Sequence, residues 1–448
     1  MDQQSTQCDQ QQAADQGQYF VGRGYRRMRP GHPGQAHSQC KGPGEAFANL
    51  RQRNQFASLT NIALVALLAW QVLPRRTAQA SARPELLLAA ALALLALGNA
   101  ASASRTGLLQ LWMVAALALC WRREQRVALW LTWALACYAI GAVALPWFVG
   151  LDPSMHGMFS RLRTGDALCS SRLTLWRNVL DLIAQRPWLG WGWGELDYAH
   201  YMTLYEGPRF CDILDNAHNL PLHLAVELGL PVALALCVLV LWSVWRFKPW
   251  RETDPGRQLA WGVLALIGMH SMLEFPLWYG PFQLVAVLAL VILLLPTRSV
   301  VLRASIVGRV QVVLLVAAIA WLFGALLIAS DYRRMAQLYQ LPQYRVAKWR
   351  DLTAREVSET TDFFQSQAEF AWLTTTPVTE LNASQMHAMA RRLLHYSPEP
   401  RVIVKLIESV RILGVRDEVQ EQSERFRIAY PDAFKAFETK QPVPAASH

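Results

Sequence analysis

The fold is decided where a polar stretch meets a long apolar one, at Asp215-Asn216-Ala217-His218-Asn219-Leu220-Pro221-Leu222-His223-Leu224. From Pro221 the chain stays mostly apolar as far as Trp245, which is long enough to cross a bilayer at roughly 20 residues per span. Polar groups at the start of such a segment are costly unless they carry out chemistry, form pairs or lie at the interface. The pattern therefore predicts a membrane helix with His218 at the boundary between membrane and water.

The composition of the whole chain is that of a membrane protein. Of 448 residues, 53% are hydrophobic and 17% are charged, and several other apolar runs reach the length of a span. The formal net charge of +10 would suggest nucleic-acid binding in a soluble protein, but basic cytoplasmic loops account for it in a membrane protein. We therefore expect contact with membrane lipids and no nucleic-acid partner.

Hydrophobic runs predict an all-α, polytopic membrane helix bundle of about eight spans. The predicted spans are Phe56–Leu73, Glu85–Ala101, Gly107–Trp121, Val127–Val149, Asn219–Arg246, Gln258–Met272, Leu277–Leu295 and Val310–Ala329. Arginine and lysine concentrate in every second connection, so the positive-inside rule favours one orientation. In that orientation a large loop, residues 150–217, and the chain after Ser330 lie outside the cytoplasm.

Three regions are predicted along the chain. Residues 1–44 are rich in Gln, Gly and Arg without a hydrophobic period, which predicts a disordered segment. Residues 45–330 are predicted to form the membrane domain. The first span would enter from outside with no apolar segment before it, so either further spans precede it in the native protein or a short N-terminus is translocated.

Residues 331–448 are predicted to form a soluble helical domain outside the cytoplasm. Short apolar groups there are punctuated by Ser397-Pro398-Glu399-Pro400. The paired helices resemble tetratricopeptide-like repeats, although no period of about 34 residues is visible. Such a domain would either bind a protein substrate or cover the membrane site.

The long loop 150–217 is expected to be folded, because structureless connections rarely exceed about 15 residues. Leu173, Trp176, Leu180 and Ile183 recur at helical spacing and predict an amphipathic helix over Ser171–Gln185. Cys169 and Cys211 either form a disulfide or remain two thiols. The tryptophans and tyrosines that follow either anchor the loop at the membrane surface or stack on sugar rings.

Candidate chemistry lies at one histidine and two arginines. Arg105, in a tight turn between two spans, is either a headgroup anchor or a guanidinium fork for phosphate. Together with Arg172 it places two cations on the side of His218, which suits a pyrophosphate leaving group. His218 itself is either a proton acceptor for an attacking hydroxyl or a histidine bonded to backbone at the start of a helix. His223 is expected to be a packed or helix-bonded group.

Other sites are excluded by spacing. No Gly-rich loop precedes Lys-Ser or Lys-Thr, and no Asp-x-Asp pair occurs. The two histidines and their neighbouring carboxylates would not face one centre on a helix. We therefore expect a mechanism without a metal or cofactor.

A family resemblance is carried by His218-Asn219, nine further residues and Gly229, which resemble the signature of the O-antigen ligase and polymerase superfamily. Two segments, the sequence around His218 and the later Glu274-Phe275-Pro276-Leu277-Trp278-Tyr279, are most similar to the corresponding sequences of the pilin glycosylation ligases. Those ligases are bacterial protein O-oligosaccharyltransferases. The resemblance runs from about Gly44 to the C-terminus. A second glycine of the family pattern is replaced by Val232.

The resemblance implies a glycosyltransferase of the bacterial inner membrane with its active site facing the periplasm. It would transfer an oligosaccharide from an undecaprenyl-diphosphate carrier to a Ser or Thr hydroxyl of a pilin-like protein. His218 would be the catalytic residue and Arg105 and Arg172 the diphosphate contacts. Weaker candidates for glycan or acceptor contact are Gln52, Asn219 and Tyr279. The alternatives are a ligase acting on lipid A core or a polysaccharide polymerase, and a non-enzymatic component of lipid-linked glycan transport.

Overall fold

The structure is a computed structural model that describes residues 46, 50, 52–70, 82–121, 125–152, 157–163, 168–294 and 304–439. Within these ranges the regular elements are helices, with no strand, as predicted for an all-α protein. The predicted disorder of residues 1–44 lies outside the described residues. By their contacts the residues fall into two compact units, one containing Lys41–Leu196 and Gly207–Ser299, and the other Asp197–Glu206 and Val300–His448.

The first of these, the membrane unit, is built from helices, most of which are apolar. They are α1 (Arg53–Trp70), α2 (Ala82–Ala101), α3 (Arg105–Cys120), α4 (Gln125–Phe148), α5 (Met158–Arg163), α6 (Arg172–Gln185), α8 (Leu220–Leu228), α9 (Leu230–Phe247), α10 (Pro255–Ser271) and α11 (Gly280–Leu294); α7 (Leu196–Met202) begins at the edge of this unit. Leu92, Leu111, Leu266 and Phe282 are fully buried between them. The predicted loop helix is confirmed as α6, which Ser171 caps by accepting from the amide of Thr174 at 3.2 Å.

Three helices in the described part of the chain are long and apolar enough to cross a membrane. They cover Gln125–Phe148, Leu230–Arg251 and Leu315–Tyr339, whereas Glu85–Ala101, Arg105–Cys120 and Gly280–Leu294 are shorter apolar helices. The predicted spans all coincide at least partly with helices, but a total of eight crossings stays a prediction.

The fifth predicted span, Asn219–Arg246, is not one helix. It is broken at Gly229, where α8 ends and α9 begins, because Gly229 has φ +86°. A Cβ at this position would lie 2.1 Å from the carbonyl oxygen of Trp188, which leaves room only for glycine. The long apolar helix therefore begins at Leu230, and His223 belongs to the short helix that precedes it.

Substitution Gly229→Ala is expected to destabilise the protein by roughly 2 kcal/mol or more, because it adds a strained backbone conformation to a steric clash. Thermal unfolding of detergent-solubilised protein measures the change. The matched control is Gly268→Ala within α10, where a Cβ meets no atom within 4 Å and helix propensity favours alanine. Equal melting temperatures for the two variants would contradict the steric account.

A buried polar network joins α1, α2, α3 and α10. Ser58 Oγ lies 2.9 Å from Gln110 Oε1 and 2.9 Å from His270 Nδ1. Asn99 donates to Asn61 Oδ1 at 2.9 Å. Because each polar group surrounded by apolar helices needs its partner, such a network fixes how the helices register against one another.

The second unit, called here the C-terminal unit, is also helical. It contains α12 (Ala304–Ala336), α13 (Ala354–Thr360), α14 (Gln365–Thr375), α15 (Ala383–Tyr396), α16 (Pro400–Leu413), α17 (Arg416–Ala429) and α18 (Pro431–Thr439). Val402, Ile403, Leu406, Ile407 and Val410 recur at helical spacing on α16 and are fully buried. The tetratricopeptide-like repeat and the boundary at residue 330 stay predictions, and α12 runs through that boundary.

A segment of the long loop is part of this C-terminal unit. The Tyr201 hydroxyl, on α7, donates to Gln422 Oε1 at 2.9 Å, and Arg425 donates to the carbonyl of Met202 at 3.2 Å. The ring of Tyr198 stacks on that of His395, with centroids 3.8 Å apart. Residues 197–206 therefore contribute to the hydrophobic core formed by the C-terminal helices.

Candidate active site

Glu274 is the centre of the site in the membrane unit. Its carboxylate is buried and accepts hydrogen bonds from Gln52 and Asn54, each at 3.1 Å. It also pairs with Arg172 at 2.5 Å and with Nδ1 of His218 at 3.0 Å. A buried carboxylate with four partners is held in one orientation, and it in turn orients the guanidinium and the imidazole.

His218 is held by its backbone as well as by Glu274. Its φ is +51°, in the left-handed region, and its amide donates to Asn216 Oδ1 at 2.8 Å. The ring meets Phe275 edge to face, with centroids 5.0 Å apart. Residues other than glycine rarely adopt this backbone conformation, and such backbone strain is concentrated at functional sites.

The ionisation state of Glu274 determines the tautomer of His218. Burial raises the pKa of Glu274, but the hydrogen bond from His218 and the charges of His218, Arg172 and His270 outweigh it and lower the pKa to about 2. An ionised carboxylate only accepts hydrogen bonds, so Nδ1 of His218 donates. In the neutral imidazole, Nε2 then carries the lone pair and is able to take a proton.

A cavity of about 290 Å³ opens beside His218. Its described lining is Arg53, Asn54, Ala103, Arg105, Thr106, Arg161, Ser170, Arg172, Leu175, Phe210, Asp212, His218 and Glu274. The structure thus brings together Arg105, Arg172 and His218, which are distant in sequence. Their functional roles remain proposals.

Helix starts surround this cavity. Arg53 begins α1, Arg105 begins α3 and Arg172 begins α6. His218 precedes Asn219, the N-cap of α8. Because the N-terminus of a helix carries a partial positive charge, these four helices add to the attraction of the arginines for an anion.

The three weaker candidates have different positions. Gln52 donates to Glu274 and therefore lies at the site. Asn219 accepts from the amide of Leu222 at 3.1 Å and donates to the carbonyl of Met272 at 3.1 Å, so its side chain caps α8 and ties it to the loop after α10. Tyr279 packs against the membrane unit's core and is not among the described residues lining the cavity. A role for any of the three in glycan or acceptor contact stays a prediction.

Cys169 and Cys211 form a disulfide, with Cα atoms 5.3 Å apart. The alternative of two free thiols is therefore wrong for this structure. Ser170 and Phe210, which are adjacent to the two cysteines, both line the cavity. The bridge thus fixes two walls of the site against each other.

Removing this bridge with Cys169→Ser and Cys211→Ser is expected to cost about 4 kcal/mol, as chain entropy predicts for a closed loop of this size. The sequence separation is 42 residues. Thermal unfolding and the mass of the linked peptides with and without reductant measure it. Cys120→Ser, at an exposed free cysteine, is the control. An unchanged melting temperature in the double variant would show that the bridge does not constrain the loop.

The glycine-rich loop Gly190–Gly194 packs against the C-terminal end of α8. The amide of Trp191 donates to Val226 O at 2.8 Å, and that of Gly194 to Glu227 Oε1 at 2.9 Å. Glu227 also faces buried His223 at 3.5 Å. Burial lowers the pKa of His223 to about 4, with Asp215 raising it and His218 lowering it further. His223 is therefore a packed, neutral group, as predicted.

Two tryptophans in and beside this loop, Trp188 and Trp193, are exposed. The Trp193 ring stacks on that of Trp278, with centroids 6.5 Å apart. Trp188 and Trp193 are 75% and 66% exposed, next to the start of the spanning helix α9. Interfacial anchoring and sugar stacking both stay predictions for these residues.

Sequence reasoning did not assign a role to Glu274 or Asn54. A carboxylate in the four-residue loop 273–276 between two apolar runs is costly unless paired, and that was the available indication. Its partners lie 56 to 222 residues away in the chain, so no local pattern identifies them. No metal-binding group of three or more His, Cys, Asp or Glu occurs among the residues that the structure describes.

Comparison with known families agrees with these features. The profile described as virulence factor membrane-bound polymerase, C-terminal, matches residues 258–443, and the O-antigen ligase profile matches residues 88–237. The protein glycosylation ligase profile matches residues 46–70, which include Gln52 and Asn54. No solved structure matches the chain.

Two curated proteins of Acinetobacter baylyi are similar in sequence. A general O-oligosaccharyltransferase is 24% identical over 274 residues, which cover 57% of this chain and 44% of the relative. A ComP-specific O-oligosaccharyltransferase is 27% identical over 127 residues, covering 28% of this chain and 22% of the relative. The chain thus spans less than half the length of the curated relatives it matches.

The predicted resemblance is confirmed by these matches. Together with the long apolar helices they indicate an integral membrane protein. The chain is homologous to two O-oligosaccharyltransferases of Acinetobacter baylyi, which are glycosyltransferases, and parts of it match the O-antigen ligase and protein glycosylation ligase profiles.

Proposed function

We propose that the protein transfers an oligosaccharide from an undecaprenyl-diphosphate carrier to a Ser or Thr hydroxyl of a pilin-like protein, without a metal. The reaction would take place at the periplasmic face of the bacterial inner membrane. His218 would activate the acceptor, and Arg105 and Arg172 would contact the diphosphate. The observation that carries the proposal is the imidazole of His218, held by Glu274, in one cavity with both arginines.

The transfer step uses Nε2 of His218. The acceptor oxygen forms a bond to the anomeric carbon of the sugar while its proton passes to Nε2. The bond from that carbon to the diphosphate oxygen breaks, and its electron pair leaves with the lipid diphosphate. Glu274 stabilises the imidazolium through Nδ1 and remains ionised throughout.

Charge on the leaving group is the main electrostatic demand of this reaction. Fixed guanidinium groups and helix N-termini stabilise it best when they are already oriented before reaction. Arg105 and Arg172 begin α3 and α6 and line the cavity, so both their charge and their helix dipoles are directed to the same place. This supports a diphosphate donor.

A protein acceptor is favoured by the names of the relatives. Both are called O-oligosaccharyltransferases, and one is called ComP-specific. The protein glycosylation ligase match includes Gln52 and Asn54, which both donate to Glu274, so it covers part of the site. The helical C-terminal unit offers a folded surface for such a partner.

An acceptor sugar is the main alternative. The O-antigen ligase and membrane-bound polymerase profiles match longer parts of the chain, and a hydroxyl of lipid A core or of a polysaccharide would use the same chemistry. A third possibility is a non-enzymatic transport component. Transport would survive loss of His218, whereas transfer would not.

The deciding experiment supplies the purified protein with an undecaprenyl-diphosphate oligosaccharide and a pilin, and searches for glycopeptides by mass spectrometry. A parallel reaction contains lipid A core. Glycosylated serine or threonine supports the proposal, and exclusive modification of lipid A core supports the ligase. If folded protein with an unchanged active site binds the donor but forms neither product, the result would count against transferase function.

A further inference from the structure

We propose that Arg161, on the short helix α5, is a further diphosphate-binding residue of this cavity. The identity of its ligand as a lipid diphosphate rests on the proposed function. The residue lies in the loop 150–217, and it lines the same cavity as His218. The reasons are the charge of the cavity, the way α5 is anchored and the commitment of Arg172 to Glu274.

The cavity carries an excess of positive charge. Its lining, as far as the structure describes it, contains four arginines and two carboxylates, namely Arg53, Arg105, Arg161, Arg172, Asp212 and Glu274. An excess of two positive charges suits a diphosphate, which carries at least two negative charges at neutral pH. A neutral sugar or hydroxyl alone would not balance this excess.

Arg172 does not supply its full charge to a ligand. Its guanidinium pairs with buried Glu274 at 2.5 Å, which compensates much of its charge. A diphosphate has oxygens on two phosphorus atoms, and guanidinium groups bind such oxygens in pairs. Besides Arg105 and Arg172, the described lining of the cavity offers Arg53 and Arg161 for these contacts.

The anchoring of α5 directs Arg161 to the cavity. Met158 is 3% exposed and packs in the core of the membrane unit. Arg161 follows three residues later, so it lies on the same face of the helix as Met158. Phe159, 47% exposed, projects about 160° from Arg161 around the helix. The short helix thus presents a cation to the cavity and an apolar ring away from it, as a site for a lipid headgroup requires.

Arg163 provides a matched comparison on the same helix. It lies two residues from Arg161, is exposed, and is not among the described residues that line the cavity. Replacing either arginine changes the net charge of the protein equally. A general electrostatic effect would therefore appear in both variants, and a direct contact only in Arg161→Ala.

The test measures binding of inorganic pyrophosphate and of farnesyl diphosphate to the detergent-purified full chain by isothermal titration calorimetry. Arg161→Ala is expected to weaken both roughly tenfold or more, as loss of a charge-assisted contact predicts, while Arg163→Ala binds like wild type. The salt dependence of binding should be smaller in Arg161→Ala than in wild type. Arg161→Lys keeps the charge and should recover part of the affinity, which separates binding from folding.

Wild-type affinity of folded Arg161→Ala would overturn the proposal, and so would equal losses in Arg161→Ala and Arg163→Ala. The outcome is independent of the acceptor. If pyrophosphate binding needs Arg161 but no glycan is transferred, the proposed function fails while this inference stands. If glycan is transferred and Arg161→Ala binds normally, the reverse holds.

Discussion

Replacement of His218 is expected to reduce glycan transfer by roughly 10²–10⁴-fold, the usual contribution of a general base. The effect should fall on kcat, because the imidazole contacts the acceptor proton while the arginines hold the donor. His218→Asn is the more informative variant, since asparagine tolerates the left-handed backbone at φ +51° and alanine does not do so as readily. Transfer of radiolabelled or mass-tagged glycan at saturating donor measures the loss.

A second histidine–glutamate pair provides the control for this experiment. His387 Nε2 lies 3.1 Å from Glu418 Oε1 in the C-terminal unit, nearly the separation of His218 from Glu274. His387→Asn therefore removes a similar histidine–carboxylate hydrogen bond and should leave kcat unchanged. Equal activity of His218→Asn and wild type would exclude His218 as the base, whatever the acceptor.

Much of the fold is readable from the sequence because membrane helices are set by composition. In lipid, the backbone N–H and C=O groups of Leu230 to Trp245 can form hydrogen bonds only with one another. An apolar run of that length therefore predicts a helix. The break at Gly229 was missed, because leucines on both sides continue the apolar pattern. Gly229 followed by Pro231 was the available indication, since glycine ends helices and proline favours their first turn.

The site was only partly readable. His218 and Arg105 were found as polar residues at predicted membrane boundaries, where such groups are expensive, and Arg172 as a cation of the predicted loop helix on the same side. What the sequence alone could not indicate is that Glu274 joins them, because the contact with Gln52 closes a separation of 222 residues. The place of residues 197–206 in the C-terminal core depends on similar long-range packing, such as that of Tyr201 with Gln422.

Substitution Glu274→Gln is expected to lower kcat by roughly 10²–10⁴-fold, as when a carboxylate that orients a catalytic histidine becomes an amide. The amide nitrogen can donate to Nδ1 of His218, which would place the proton on Nε2 and remove the base. Arg172 loses its ionic partner at the same time. A change confined to kcat, with the KM of the acceptor unchanged, identifies Glu274 as a residue that positions His218.

Asn54→Ala is the matched comparison, because Asn54 binds the same carboxylate at 3.1 Å without holding the imidazole. It removes one of four partners and leaves Glu274 ionised, so its effect on kcat should be far smaller. If both substitutions reduce kcat equally, the network acts by packing alone and the tautomer of His218 is not the decisive factor.

The pH dependence of stability offers an independent check on the charge of Glu274. Its pKa is lowered in the folded protein to about 2, from an ordinary value of 4.5. A lowered pKa means that the stabilising contribution is complete above pH 4.5 and is lost as the pH falls towards 2. The melting temperature of wild type minus that of Glu274→Gln should therefore be constant at neutral pH and shrink only below that ordinary value. A difference that vanishes already between neutral pH and 5 would mean that Glu274 is protonated in the folded site, and a protonated carboxyl could not hold Nδ1 of His218 as a donor.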